Sequence, residues 1–164
     1  MKKRAMKSVR QLLGTLYETK TVLRQLGVLR SERFTGELGE WLVEVAYQGK
    51  RAEGTTQKGW DVEVSADGTR SLIQVKTHAK GKKNNAEWTE VRPDCLELFD
   101  RLVIVVMSDD YYVKRWFDVP KLVLRKALVQ SGKSWVVYWD DVAEYAVKWT
   151  ALPGAEAILD FERK

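Results

Sequence analysis

The residues whose types and spacing could do chemistry cluster between positions 59 and 76. Asp61 sits in the alternating run Trp60-Asp61-Val62-Glu63-Val64, and Gln74 and Lys76 sit in a second one, Leu72-Ile73-Gln74-Val75-Lys76. The Asp67-Gly68 dipeptide between them is the strongest short-range signal for a two-residue hairpin turn. With those two residues as the loop, Ala66 pairs with Thr69, Val64 with Ser71 and Val62 with Ile73. Asp61 then falls opposite Gln74, their Cβ atoms ~5 Å apart. Lys76, two residues further on, projects from the same face as Gln74, while Ile73 and Val75 turn to the other face, where a core can take them. A carboxylate, a carboxamide oxygen and an ammonium thus converge. A slip of one residue would scatter them. The competing reading is an ordinary diagonal ion pair between Asp61 and Lys76 on an exposed sheet, which contributes little.

The element before the hairpin offers further acids. Residues 35–47 read as a helix with Leu38, Trp41, Leu42 and Val45 on one face, stopped by Gly49. Glu37, Glu40 and Glu44 recur at three- and four-residue steps along one edge of that face. Packed on the sheet through its apolar stripe, such a helix could carry this acidic edge to the rim of a cleft, or leave it as a solvated flank.

In this order, Glu37 and Glu40 on a first helix, then Gly59-Trp60-Asp61, then Ile73-Gln74-Val75-Lys76 after a hairpin, the chain resembles the PD-(D/E)XK nuclease superfamily. The phrase Leu98-Phe99-Asp100-Arg101-Leu102-Val103-Ile104-Val105 and the helix expected after Pro120 also look like its small stand-alone bacterial members. The resemblance covers roughly residues 35–130. It implies a restriction-endonuclease-like α/β fold, a central mixed β-sheet flanked by helices. It also implies metal-dependent hydrolysis of phosphodiester bonds, in DNA first of all and by an endonuclease, with Mg2+ as cofactor and Mn2+ as its substitute. Asp61 takes the place of the metal-binding aspartate, Gln74 that of the second acidic ligand, and Lys76 that of the lysine that orients water and stabilises phosphate charge. Glu40 matches the helix glutamate, with Glu37 as a possible additional acid. Glutamine in place of an acid at position 74 is the main departure, shared with Mrr-like branches. It motivates the alternative, a catalytically inactive nuclease-fold module that binds nucleic acid or a protein partner.

The remaining elements must position this set. Residues 101–107 read as an almost continuously apolar strand, as expected when both sheet faces are covered. Tyr111 to Val119 reads as its partner, Pro120 as the start of a helix through about Val129, and residues 135–139 as a short strand or turn, with a weak helix in the tail. Residues 78–90 read as a polar, lysine-rich loop. Residues 5–29 read as a helix with Val9, Leu12, Leu16, Leu23 and Leu26 on one stripe, able to pack on the body or to pair with a second copy. The division is thus a basic helical arm, 1–30, and a nuclease-like domain, 31–164.

Charge follows the same division. The chain has 164 residues, 28 basic and 23 acidic, for a net +5. Residues 1–33 hold nine bases and two acids, a net of +7, which leaves −2 for the rest. A positive arm on a near-neutral body suits a polyanion such as nucleic acid. Candidate backbone contacts are Lys2, Lys3, Arg4 and Lys7 in the arm, Lys80, Lys82 and Lys83 in the loop, and Arg92. Of the seven tryptophans, Trp88 and Trp116 are candidates for base stacking, while Trp41, Trp60, Trp135 and Trp139 read mostly as core. A single cysteine, Cys95, and a single histidine, His78, exclude an internal disulfide and a cysteine–histidine zinc site. No apolar run approaches the ~18 residues of a membrane span, and no apolar leader opens the chain. The expectation is a soluble, cytoplasmic protein, a possible homodimer, with no membrane partner.

Overall fold

A computed structural model describes residues 9–31, 33–54, 59–80 and 86–162, with side chains from residue 15 onward. Lys2, Lys3, Arg4, Lys7, Lys82 and Lys83, and the side chains of Val9 and Leu12, lie outside the described ones. Two helices open the fold, α1 (Val9–Gln25) and α2 (Phe34–Ala46). Strands β1 (Lys50–Arg51), β2 (Val62–Ala66) and β3 (Thr69–Lys80) follow, then β4 (Trp88–Glu90), β5 (Arg101–Ser108) and β6 (Val113–Pro120). Helix α3 (Lys121–Ala127) and strands β7 (Val129–Ser131) and β8 (Ser134–Tyr138) come next, and short 3₁₀ segments complete the tail.

The central sheet has the order β1-β2-β3-β5-β6. It is mixed: β3 and β5 run parallel, and the other pairs are antiparallel. Its hairpin has the expected register, Ala66 with Thr69, Val64 with Ser71 and Val62 with Ile73. The turn supplies the reason. Asp67 at φ 50° and Gly68 at φ 75° are both left-handed, the two-residue turn whose twist matches that of the strands.

One face of the sheet carries Val62, Ile73, Val75, Val103 and Val105 against Leu38, Leu42 and Val43 of α2, with Trp149 and Ile158 of the tail. The other carries Leu102, Ile104, Val106, Phe117 and Val119 against Leu124 of α3, Val137 of β8, Trp139 and Val142. Burying both faces explains the apolar run of β5. Helix α2 lies unusually close to β3 because position 39 is glycine; a Cβ there would overlap the Thr77 side chain.

Several expectations need correction. Residues 78–80 are not loop: β3 continues to Lys80, held in parallel register by β5 as far as Ser108. Residues 88–90 are likewise strand and join β8 and β7 in a second, three-stranded sheet. Helix α3 stops at Ala127, because Val129 is already paired with Val136. Trp116 is 1% exposed and cannot stack on a base, whereas Trp135, read as core, is 38% exposed. In α1, Leu23 packs against the core while Leu16, and Leu26 just past the helix end, remain largely exposed. Among the described residues no helix is long and apolar enough to cross a membrane.

Candidate active site at the open edge of the central sheet

The site forms where two strands part. β2 begins at Val62, but β3 runs on past its pairing partner, so from Gln74 onward that edge of β3 has no neighbouring strand among the described residues. Asp61 closes the ladder. Its N–H donates to the Ile73 carbonyl at 2.8 Å. Its Oδ2 then accepts the next edge amide, Val75 N–H, at 2.7 Å. The Gln74 carboxamide also donates through Nε2 to Oδ2. Spending its donor group this way leaves the Gln74 carboxamide oxygen as an acceptor for a ligand.

Helix α2 reaches this notch from the other face of the sheet. Asp61, Gln74, Lys76, Glu37 and Glu40 line one cleft of about 300 Å³, together with Arg33, Gly36, Val75 and Thr77. The four residues expected to act together, Asp61, Gln74, Lys76 and Glu40, are therefore neighbours, and so is Glu37. Glu44 is not; it turns away to accept Arg51 Nε at 2.7 Å.

Bordering the cleft, and bonded to two of its acids, is a residue that sequence reasoning placed only among the arm's positive charges. Arg30 donates from Nη2 to Glu40 Oε2 at 3.1 Å and from its backbone N–H to Glu37 Oε2 at 2.8 Å. A second contact, Nη1 to the Ala52 carbonyl, is 2.5 Å. The pairing is long-range in space and leaves no periodic trace, so spacing alone had no signal for it.

Electrostatics mark the cleft as acidic and partly buried. Burial pushes Glu40 from 4.5 up to about 7, helped by the charges of Asp61 and Glu37 and opposed by Arg30. Burial likewise pushes Asp61 from 3.8 up to about 6, against the Val75 N–H, Lys76 and Arg30. Two carboxyls held toward neutrality in one cleft are the arrangement that a bound cation relieves. Among the described residues no three His, Cys, Asp or Glu side chains form a metal cage. Two carboxylates and a carboxamide nevertheless suit Mg2+, which binds through one or two carboxylates and keeps its remaining waters.

The outlying candidates are placed differently. Lys80 ends β3, and its Nζ lies 4.0 Å from the centre of the Trp139 ring. His78, on the same face of β3, meets the buried Thr89 hydroxyl at 2.9 Å, which also accepts Trp139 Nε1 at 2.8 Å. Burial, with the charges of Lys80 and Lys76, lowers His78 from 6.5 to about 4, so it is a neutral structural group joining the two sheets. Arg92 is exposed and pairs with Asp94 at 2.6 Å. Trp88 is 41% exposed on β4.

A hairpin and a parallel strand thus leave an acidic notch, with the glutamate-bearing α2 beside it. The fold is mixed α/β, a central mixed sheet flanked by helices. No protein-family model matches the chain, and no curated protein matches it. Among solved structures it is similar to I-Ssp6803I, a bacterial homing endonuclease, at 16% identity over 80% of this chain and 92% of that one, with a TM-score of 0.44. It is also similar to Hjc, a Holliday junction resolvase from the archaeal hyperthermophile Archaeoglobus fulgidus. That match has 13% identity over 72% of this chain and 90% of that one, with a TM-score of 0.41. At such identities the likeness concerns the path of the backbone, not the reaction.

Proposed function

We propose that this chain is a metal-dependent nuclease that hydrolyses phosphodiester bonds in DNA. The observation that carries the reading is the convergence of Asp61, Gln74, Lys76 and Glu40 in one cleft at the open edge of β3. Asp61, Glu40 and the Gln74 carboxamide oxygen would hold Mg2+, or Mn2+ in its place. Such an ion, when bound, lowers the pKa of water and neutralises charge on the phosphate. Lys76 supplies a fixed positive charge beside the reacting phosphate, and its ammonium can donate to the attacking water. Asp61 is held through Oδ2 by the Val75 N–H and the Gln74 carboxamide, which restrains its carboxylate at the cleft. The basic arm, net +7 over residues 1–33, would gather the polyanion by sequence-independent attraction.

A second reading, a module that binds nucleic acid without cutting it, is favoured by one observation. Gln74 brings no charge where an acid would, and its donor group is committed to Asp61. Cleavage of supercoiled DNA by the full chain with Mg2+ or Mn2+ separates the two, with Asp61→Asn and Lys76→Ala as comparison proteins. The nuclease reading expects cleavage that chelator abolishes and that each substitution lowers at least about a hundredfold. Equal cleavage by all three proteins would reject it. DNA binding in every protein without cleavage in any would establish the second reading.

A further inference from the structure

Arg30 stands at the junction of arm and body, and its guanidinium lies among acids that a metal would otherwise use. Glu37 is 3% exposed, and its Oε2 receives the Arg30 N–H at 2.8 Å, with Arg30 Nε at 3.6 Å and Arg51 Nη1 at 3.9 Å. Two guanidinium groups and an amide therefore satisfy that carboxylate in place of any ion. Glu40 is shared: Oε2 is bound to Arg30 Nη2 at 3.1 Å, and only its other oxygen is left for the cleft. Arg30 Nε itself is buried and makes no hydrogen bond, so the guanidinium is held here by charge more than by a complete set of partners.

We propose that Arg30 is a resident cation at the border of this cleft, limiting it to a single divalent ion and making that ion compete with the guanidinium for Glu40. The proposal rests on the reading that the cleft takes a divalent cation. Paired-metal sites need carboxylates to share between ions ≈ 3.5–4 Å apart. Here the third acid, Glu37, is already paired with two guanidinium groups, and a second dication would stand against the positive charge of Arg30 at the cleft border. Because the guanidinium belongs to the segment that joins the arm to α2, the position of the arm and the affinity for metal are linked through this one side chain.

The test is Mn2+ binding to the full chain above neutral pH, with free Mn2+ read by electron paramagnetic resonance. Wild type should bind one ion weakly, and Asp61→Asn should bind none. Arg30→Gln should bind about tenfold more tightly, or gain a second ion, as expected for removing one nearby positive charge. Arg30→Lys, which keeps the charge, should stay close to wild type. Two ions on wild type, or unchanged or weaker binding by Arg30→Gln, would overturn the resident-cation proposal while leaving the cleft's metal site standing. Binding that ignores Asp61→Asn, or no binding by wild type, would instead remove the cleft reading itself. A measurement on wild type guards against a variant that does not fold. During Ca2+ titration the Arg30 Nε–H resonance should shift in step with occupancy, and a resonance that stays fixed through saturation would refute the competition.

Discussion

Replacing Glu40 by glutamine keeps the shape of the side chain and an oxygen for Arg30 Nη2 but removes a charge that the cleft holds at a cost. In the folded chain this carboxyl ionises near 7, whereas its ordinary value is 4.5. The sign follows from proton counting. Between those values the unfolded chain has released the proton and the folded chain still holds it, so stability falls as pH rises through this window. The stability is fully present below about 4.5 and is lost once the pH passes about 7. At 1.36 kcal/mol per pKa unit, the loss between about pH 5 and about pH 8 comes to roughly 2.5 kcal/mol. With the Glu40 side chain 23% exposed, solvent screening brings the expectation down to about 2 kcal/mol. His78 runs the other way, since its depressed value near 4 favours folding as pH rises toward 6.5. That contribution is common to both proteins and cancels in their difference. Urea unfolding of wild type and Glu40→Gln in chelator, at both ends of the window, should show the variant gaining on wild type by about 2 kcal/mol as pH rises. Saturating Mg2+ should erase the gain by stabilising only the wild-type carboxylate. A difference between the two proteins that is the same at both ends would refute the account of a desolvated, acid-crowded Glu40.

Three further outcomes follow from packing. Gly39→Ala should destabilise the fold by about 1–3 kcal/mol in urea unfolding, because the added Cβ overlaps Thr77; a neutral or stabilising result would mean α2 and β3 are further apart than described. Thr89→Val should cost about 2 kcal/mol, since His78 and Trp139 both lose the hydroxyl they share. Its check is the same unfolding curve, and the cost should not be recovered by restoring volume alone. Gly68→Ala should cost roughly 1 kcal/mol, because φ 75° is unfavourable for a residue with a Cβ; thermal unfolding would show the drop.

The site was legible in the sequence to the extent that it depends on one short-range device. Asp67-Gly68 sets the turn, alternation sets the faces, and together they place Asp61 against Gln74 without any knowledge of the rest. The acidic edge of α2 was legible for a similar reason: a helix that buries Leu38 and Leu42 must present Glu37 and Glu40 beside the stripe. Arg30 was not, because nothing local distinguishes a guanidinium that folds back onto α2 from one in solvent. The far half of β3 was misread because Thr77-His78-Ala79-Lys80 looks too polar for a strand. Its pairing comes from β5 on one side, while a threonine hydroxyl and a tryptophan ring receive His78 and Lys80. The second sheet escaped notice because β4 is only three residues long, too short to display a period. Trp116 was open to base stacking until its place in β6 was known; there it faces inward and its indole meets Tyr47.

The way Asp61 closes the ladder bears on how the protein stays apart from its own copies. A run of β-strand without a neighbour is an invitation to any passing extended chain. Here the first unmatched amide is occupied by a carboxylate, and acidic side chains crowd the approach. Chemistry and solubility thus make the same demand on one residue. Shortening Asp61 to alanine would uncover that edge amide, and preparations of the variant should self-associate in sedimentation where the asparagine version, still able to accept the amide, stays dispersed.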